Sequence, residues 1–351
     1  MIDRVFIATT VLFSVLSSHS LSQTIKELIT TENSYKKIDD SLVIKFPEDH
    51  GAHPNFKTEW WYLTANLSDD QNEPLGIQWT LFRTALSSIN NNQNGWSNKQ
   101  VWMGHAALTD KDSHFFEEKI ARGGIGQAGV TLEPFNAWID NWKLNSENFR
   151  AFELSAITPD FSYDLYLKVT GPIVKHGKNG YSKKSNSEGA SAYYSFPFLS
   201  VKGWIKKGKV KKEVSGIAWL DREWSSQTLA KTQVGWDWFS LSMQTGGKLM
   251  LFRVRSSDGN HFYSGTWINN LGVQTELLTS DILFLPTDYD PNSEDPPTKW
   301  KVQVPKLLLS INIDALNKNA FMKTTIPYWE GPISFFGTHA GTGYLEMTGY
   351  E

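Results

Sequence analysis

The chain has 351 residues, a formal net charge of -3 and no cysteine. Without a basic run it carries no electrostatic footprint for nucleic acid. Without cysteine it has no disulfide, no thiolate chemistry and no lipid-anchoring cysteine. Its bias is aromatic, with 15 Trp, 12 Tyr and 20 Phe against 20% charged residues, which suits ring-packed β cores or a ring-lined ligand pocket.

In chain order, Arg4 precedes an apolar run, Val5–Leu16, too short to span a bilayer, and Ser18-His-Ser20 then offers small residues at alternate positions. This pattern predicts a signal peptide over residues 1–22 and an exported protein, periplasmic or secreted. A retained anchor is the alternative; after cleavage no integral membrane segment is expected. A polar lead-in occupies 23–45, and the remaining length suits two domains, 46–230 and 231–351.

The segment Phe46-Pro-Glu-Asp-His-Gly-Ala-His-Pro-Asn-Phe-Lys-Thr-Glu-Trp-Trp-Tyr-Leu63 sets two histidines and two acids on a Gly/Pro-punctuated loop before an aromatic strand. Alternation sends Thr58, Trp60 and Tyr62 to one face and Glu59, Trp61 and Leu63 to the other. Short alternating runs follow, such as Leu75–Arg83, Phe149–Ser155, Tyr163–Val169 and Lys248–Arg255, separated by Gly, Asn, Asp and Pro clusters. Such spacing predicts an all-β sandwich or barrel. The segments Asn90–Lys99, His176–Glu188 and Thr287–Thr298 read as long loops, and Ser225–Thr232 and Ile313–Asn319 as short helices.

An internal echo supports two related units. Trp60-Trp-Tyr-Leu63 returns as Trp236-Asp-Trp-Phe-Ser-Leu241, and Leu81-Phe-Arg83 returns as Leu251-Phe-Arg253.

Familiar catalytic signatures are absent: there is no Gly-x-Ser-x-Gly and no His-Glu-x-x-His. Gly203–Lys209 matches part of a phosphate-binding loop, but Val210 replaces the metal-binding hydroxyl and the setting is a hairpin turn. His50, His53, Asp49 and Glu59 lack convincing metal-ligand spacing, so no metal is expected. His105 falls on a predicted strand and His339 on a loop.

The second dense segment is Gly216-Ile-Ala-Trp-Leu-Asp-Arg-Glu-Trp-Ser-Ser-Gln227. As a strand it sends Trp219, Asp221 and Glu223 to one face and Leu220, Arg222 and Trp224 to the other. An acid between indoles in a barrel lumen would be desolvated and would keep its proton near neutral pH, as a general acid needs. The competing expectation is a structural ion pair of Asp221 or Glu223 with Arg83, Arg222 or Arg253.

The loop Asp49–Pro54 with Thr58-Glu-Trp-Trp-Tyr62 resembles the signature of the AttH and carotenoid 1,2-hydratase family. So do Tyr193-Tyr-Ser-Phe-Pro197, Trp219-Leu-Asp-Arg-Glu-Trp224, Gly235-Trp-Asp-Trp-Phe239 and Gly343-Tyr-Leu-Glu-Met-Thr-Gly349. The match runs from about Phe46 to the C-terminus and is nearer the exported branch labelled predicted secreted hydrolase. The resemblance implies two tandem lipocalin-like antiparallel β-barrels.

It also implies cofactor-free acid catalysis, in which an aspartate protonates an isoprenoid alkene, rings stabilise the cation and water attacks. Asp221 matches that proton donor, and Trp219 falls where the hydratases carry a tyrosine. The hydratases place a His and a Trp shortly before a proline, whereas Tyr193–Phe196 precede Pro197 here.

The candidate catalytic residues are therefore Asp221, Trp219, Glu223 and Glu59, either of the last two orienting a water. The candidate ligand-binding residues are Trp60, Trp61, Tyr62, His105, Tyr193, Tyr194, Trp224, Trp236 and Trp238. The partner is a small apolar molecule. Two alternatives stand beside the hydratase-like enzyme: a non-catalytic lipocalin-like carrier, and the hydrolase of the family label, which shows no nucleophile–base pair in sequence.

Overall fold

The computed structural model describes residues 35–88, 95–186, 189–226, 232–289 and 295–350. The expected signal peptide lies outside them, as does most of the predicted helix Ser225–Thr232. The first half contributes β1 (Thr58–Asp69), β2 (Pro74–Ala85), β3 (Gln100–Asp110), β4 (His114–Arg122), β5 (Ala128–Leu132), β6 (Phe135–Ile139) and β7 (Trp142–Ser146). It continues with β8 (Ala151–Ile157), β9 (Phe161–Val169), β10 (Val174–Lys175), β11 (Tyr181–Lys183), β12 (Ala190–Lys207) and β13 (Val210–Ser225). The second half contributes β14 (Gln233–Met243), β15 (Lys248–Ser256), β16 (Phe262–Ile268), β17 (Gln274–Leu277) and β18 (Leu283–Pro286). After these come β19 (Lys299–Val304), β20 (Leu309–Ala315), β21 (Phe321–Met322), β22 (Tyr328–Gly337) and β23 (Gly341–Met347).

The strands form two antiparallel sheets. One runs β4-β3-β2-β1-β13-β12-β9-β8-β7-β6-β5, with β10 and β11 beside β12; the other runs β17-β16-β15-β14-β23-β22-β20-β19-β18, with β21 beside β22. The first curls until β3 packs on β6, so that a methyl placed on Gly104 would come within 2.7 Å of Ile139. The chain is thus all-β, with a nearly closed lipocalin-like barrel followed by a half-barrel.

Alternation explains the layering. Inward positions of the first sheet supply one core, with Trp61, Leu63, Trp79, Leu81, Trp142 and Trp224 buried together. Phe239, Leu241, Trp300, Trp329 and Leu345 fill the second. A third cluster joins the outer faces of both sheets: Tyr62, Tyr193 and Trp219 from the first meet Trp238, Met250, Phe252 and Tyr344 from the second. Burying such rings is worth about 1.5–3 kcal/mol each, so the sheets are held face to face by a ring-lined seam.

The internal echo has a structural counterpart. Arg83 lies opposite Glu59 on paired strands, and Arg253 opposite Asp237. Trp60 pairs with Phe82 and Glu223, and Trp238 pairs with Phe252 and Glu346. Each sheet therefore carries a buried cross-strand ion pair on its inner side and a Trp–Phe pair on its outer side.

Two sequence expectations differ from the structure. Ile313–Asn319 is not a helix: β20 runs to Ala315, because Leu309, Ile311 and Ile313 alternate inward between β19 and β22. His176–Glu188 is not simply a loop, since it carries β11 and a fully buried His176. Among the described residues no helix is long and apolar enough to cross a membrane.

Candidate active site in the seam between the sheets

Asp221 sits mid-way along β13, opposite Tyr62 on one side and Ser195 on the other, and is 3% exposed. Its carboxyl accepts hydrogen bonds from Tyr193 Oη at 2.8 Å, from Trp219 Nε1 at 2.5 Å and from Ser195 Oγ. Among the described residues no cation is ion-paired with it. Burial pushes its pKa up to about 7, with the three donors pulling down and the nearby Glu223 adding to the rise. Near neutral pH it is therefore a partly protonated acid against indole and phenol rings.

The acid does not point into a barrel lumen, as the sequence suggested. The inward positions of β13 belong to Leu220 and Trp224, with Arg222 beside them, so alternation turns Asp221 outward into the seam. There Trp238 donates to Tyr193 Oη at 3.1 Å and stands edge-on to Trp219 and Tyr62. The second sheet thus completes the surroundings of an acid carried by the first.

Behind Asp221 is a pair that the sequence reading missed. His176 Nε2 lies 2.6 Å from Ser195 Oγ, and its Nδ1 lies 2.9 Å from Thr266 Oγ1. Burial, reinforced by Lys184, lowers the His176 pKa to about 3, so the ring is neutral. A hydroxyl between a neutral imidazole and a carboxyl can donate either way. Ser195 donates to Asp221 when that group is charged, and accepts from it when it is protonated, turning its own hydrogen to His176. A histidine therefore does reach the site, from the residue after β10 rather than from the strand before Pro197. Ser195 itself lies in the Tyr193–Pro197 motif, but nothing in the local pattern marked it as a carboxyl partner.

The pair is not a hydrolase triad. The carboxylate bonds the serine rather than the imidazole, and a histidine that stays neutral down to about pH 3 is a poor acceptor of the serine proton.

The remaining predicted site residues divide by face. Trp60, Trp236 and Trp238 join the seam with Tyr62, Tyr193 and Trp219. Glu223 shares the Asp221 face, and its Oε1 is 2.8 Å from Lys184 Nζ, a lysine rather than one of the expected arginines. Glu59 does not join them. It is ion-paired with Arg83 and Arg222 and bonded by His53 on the inner side of the first sheet, where no oxygen is left for a substrate water. Trp61, Tyr194 and Trp224 also lie on that side, with the Arg222 guanidinium 3.6 Å above the Trp61 ring.

His105 bonds Tyr328 Oη at 2.7 Å and Glu118 at 3.0 Å, and it lies on β3, two strands from Tyr62, rather than at Asp221. His53 bridges Asp49 and Glu59, while His50 bonds Tyr194 and stacks between Phe46 and Phe149. The Asp49–His53 loop thus uses its histidines and acids in hydrogen bonds within itself and to β1 and β12.

Two further acids face the seam from the second sheet. Glu346 accepts from Trp236 Nε1 at 2.6 Å, and burial with a contribution from Glu223 lifts its pKa to about 7. Glu330 accepts from Tyr62 Oη, and burial, reinforced by Glu346, holds it far above the usual carboxyl range. Their signal was present in Tyr328-Trp-Glu330 and Tyr344-Leu-Glu346, which alternate ring and acid as Trp219-Leu-Asp221 does.

A tandem lipocalin-like fold with a protonatable acid enclosed where its two sheets meet defines the class of protein. The family model for AttH-like proteins matches residues 37–350, and the chain belongs to the AttH-like family. It is similar to the crystal structure of a putative AttH from Nitrosomonas europaea, with 30% identity over 90% of this chain and 99% of that one and a TM-score of 0.81. It also shares its fold with kievitone hydratase from Nectria haematococca, at 13% identity, 90% and 96% coverage and a TM-score of 0.67. A third fold neighbour is CghA, solved with Sch210972, at 9% identity, 89% and 94% coverage and a TM-score of 0.57. No curated protein matches the sequence.

Proposed function

We propose that the protein is a hydratase-like enzyme that adds water to, or removes it from, a double bond of an apolar, isoprenoid-like substrate. Asp221 is the proton donor and no cofactor takes part. The observation that carries this reading is Asp221 itself: buried, free of a paired cation among the described residues, bonded by three donors and lifted to about pH 7. In the forward step the Asp221 proton passes to one alkene carbon, the π pair forms the new C–H bond and the other carbon becomes cationic. Water then adds to that carbon, and its surplus proton returns to the Asp221 carboxylate. Ring faces of Trp219, Trp238 and Tyr62 stabilise the cation by about 0.5–2 kcal/mol each. Ser195 and His176 keep the carboxyl bonded in both protonation states. The fold shared with a kievitone hydratase agrees with water addition. The protein is read as exported, on its amino-terminal sequence alone.

The test is turnover of isoprenoid alkenes in heavy-oxygen water, followed by mass spectrometry. Asp221→Asn should reduce incorporation by about 10²–10⁴-fold while ligand binding is kept. Undiminished turnover by that variant would remove Asp221 as the donor. A protein that binds such molecules tightly and never turns them over would instead be a carrier, which the ring-lined seam also suits.

A further inference from the structure

The seam face of β15 carries a cation that the proposed chemistry does not use. Lys248 alternates with Met250, Phe252 and Val254, which line the seam, and its Nζ stands 5.6 Å from the centre of the Phe198 ring on β12. The residue is only 7% exposed. Its ammonium donates to Ser242 Oγ at 2.9 Å, and among the described residues no carboxylate is ion-paired with it. An ammonium carries three donors, and that hydroxyl takes one of them. Lysine is almost never so buried unless it is paired.

The neighbours offer no counter-charge. Lys248 lies between Ser242 on β14 and Ile268 on β16, and the next seam-facing positions on those strands are Ser240 and Thr266. From the first sheet β12 brings Tyr193, Ser195 and Phe198. Hydroxyls and rings thus surround the amine, and burial alone lowers its pKa to about 8. At neutral pH it is still a cation, desolvated and without a partner of opposite sign.

The row that holds it is open at one end. Thr342, Ser242, Lys248 and Ile268 follow one another across β23, β14, β15 and β16, and they pass from exposed through half-buried to buried. An anion can therefore approach the ammonium past Thr342 and Ser242. Phe252 lies four residues further along β15 and pairs with Trp238, which bonds Tyr193 at the Asp221 site. At ~3.3 Å per residue, the Lys248 and Phe252 positions are about 13 Å apart. Met250 and Tyr344 line the interval.

We infer that Lys248 and Ser242 form a head-group subsite at the mouth of the seam, binding the carboxylate or phosphate of a ligand whose apolar chain runs inward to Asp221. The ammonium donates to one oxygen of that group. Ser242 Oγ, which accepts from Nζ, still has its own hydrogen to donate to a second oxygen. A neutral alcohol can accept these bonds but brings no counter-charge, and a hydrocarbon brings neither. The subsite rests on the enzyme reading for the position of the reacting bond, and it makes the substrate an anionic amphiphile rather than a neutral hydrocarbon.

The test is tryptophan-fluorescence titration of the full chain with farnesoate, farnesyl monophosphate and farnesol. Wild type should bind one of the two anions at least about tenfold more tightly than farnesol, as a hydrogen bond to a charged group predicts. The tighter of the two names the head group. Lys248→Met keeps the side chain long in apolar surroundings, so it should bind farnesol as wild type does and lose the preference. Ser242→Ala, a milder change, should reduce the preference severalfold.

The subsite is overturned if wild type prefers neither anion to farnesol, failure to bind any of the three included, or if the preference survives in Lys248→Met. These readouts need no turnover. Undiminished catalysis by Asp221→Asn would remove the donor and leave the subsite standing, whereas a missing preference would remove the subsite and leave Asp221 in place.

Discussion

Glu59 and Asp221 are held on paired neighbouring strands and are almost equally buried, yet they are pushed in opposite directions. Burial raises both. At Glu59 that rise is overcome by Arg83, Arg222 and His53, which hold the carboxyl well below its usual range. At Asp221 only neutral donors oppose it, and the group rests near 7. The difference lies in which face of the strand each acid occupies. The inner face receives two guanidiniums from β2 and β13, whereas the seam offers rings and hydroxyls. Desolvation alone therefore does not keep a carboxyl protonated near neutral pH; desolvation without a paired charge does.

Removing a guanidinium should break this comparison most sharply. Arg222→Met strips Glu59 of one partner and uncovers Trp61, and it should cost about 3–5 kcal/mol, as breaking a buried pair does. Asp221→Asn should change stability by less than about 1 kcal/mol at neutral pH, since one donor–acceptor geometry replaces another of similar worth. Urea denaturation of the two variants measures both. Equal losses would mean that the seam depends on Asp221 as the barrel depends on Glu59.

The next largest effect is in the pH dependence of stability, and the two acids give opposite signs. Glu59, with a lowered folded pKa, contributes stability above the unfolded value of about 4.3 that is lost as pH falls through its folded pKa. Asp221, raised from 3.8 to about 7, holds a proton that the unfolded chain has lost across that interval. Its contribution is complete below pH 4 and disappears as pH rises toward 7, a change of a few kcal/mol, at ~1.4 kcal/mol per unit. Glu346 has the same sign. The stability difference between wild type and Asp221→Asn should thus fall as pH rises from 4 to 7. The buried neutral His50, His114 and His176 give the opposite slope, but both proteins carry them. A difference that stays constant would place the Asp221 pKa near its ordinary value.

This division between faces was readable in the sequence only up to a point. Period-two alternation correctly separated Trp60 and Tyr62 from Glu59 and Trp61, and Trp219, Asp221 and Glu223 from Arg222 and Trp224, because successive side chains of an extended strand point to opposite faces. The strand-rich character and the paired Leu-Phe-Arg segments were legible for the same reason. Which face became a barrel interior was not, since both faces of β1 and β13 are aromatic and either could have filled a lumen. His176 was also out of reach, because it comes to the seam through the pairing of β10 with β12, which no local spacing records. Glu330 carried a local signal in its alternation of ring and acid, but not the sheet it would face.

The smallest effect tests whether neutral donors alone restrain Asp221. Ser195→Ala removes one of three hydrogen bonds to the carboxylate, and bonds to a charged group are worth about 1.5–3 kcal/mol, or roughly one to two pKa units. The Asp221 pKa should therefore rise from about 7 by about one unit, read from carboxyl carbon shifts in labelled protein across a pH titration. His53→Phe makes the parallel deletion at Glu59. There the two arginines remain, and the carboxyl should stay ionised throughout the range in which Asp221 titrates. Were Ser195→Ala to leave Asp221 in place, Tyr193 and Trp219 would suffice as donors, and the Ser195–His176 pair would serve only to pack the seam. A rise in Ser195→Ala with no change at Glu59 in His53→Phe would show that the two faces of one strand pair set acidity by different means: charge within the barrel, and a countable set of neutral donors in the seam.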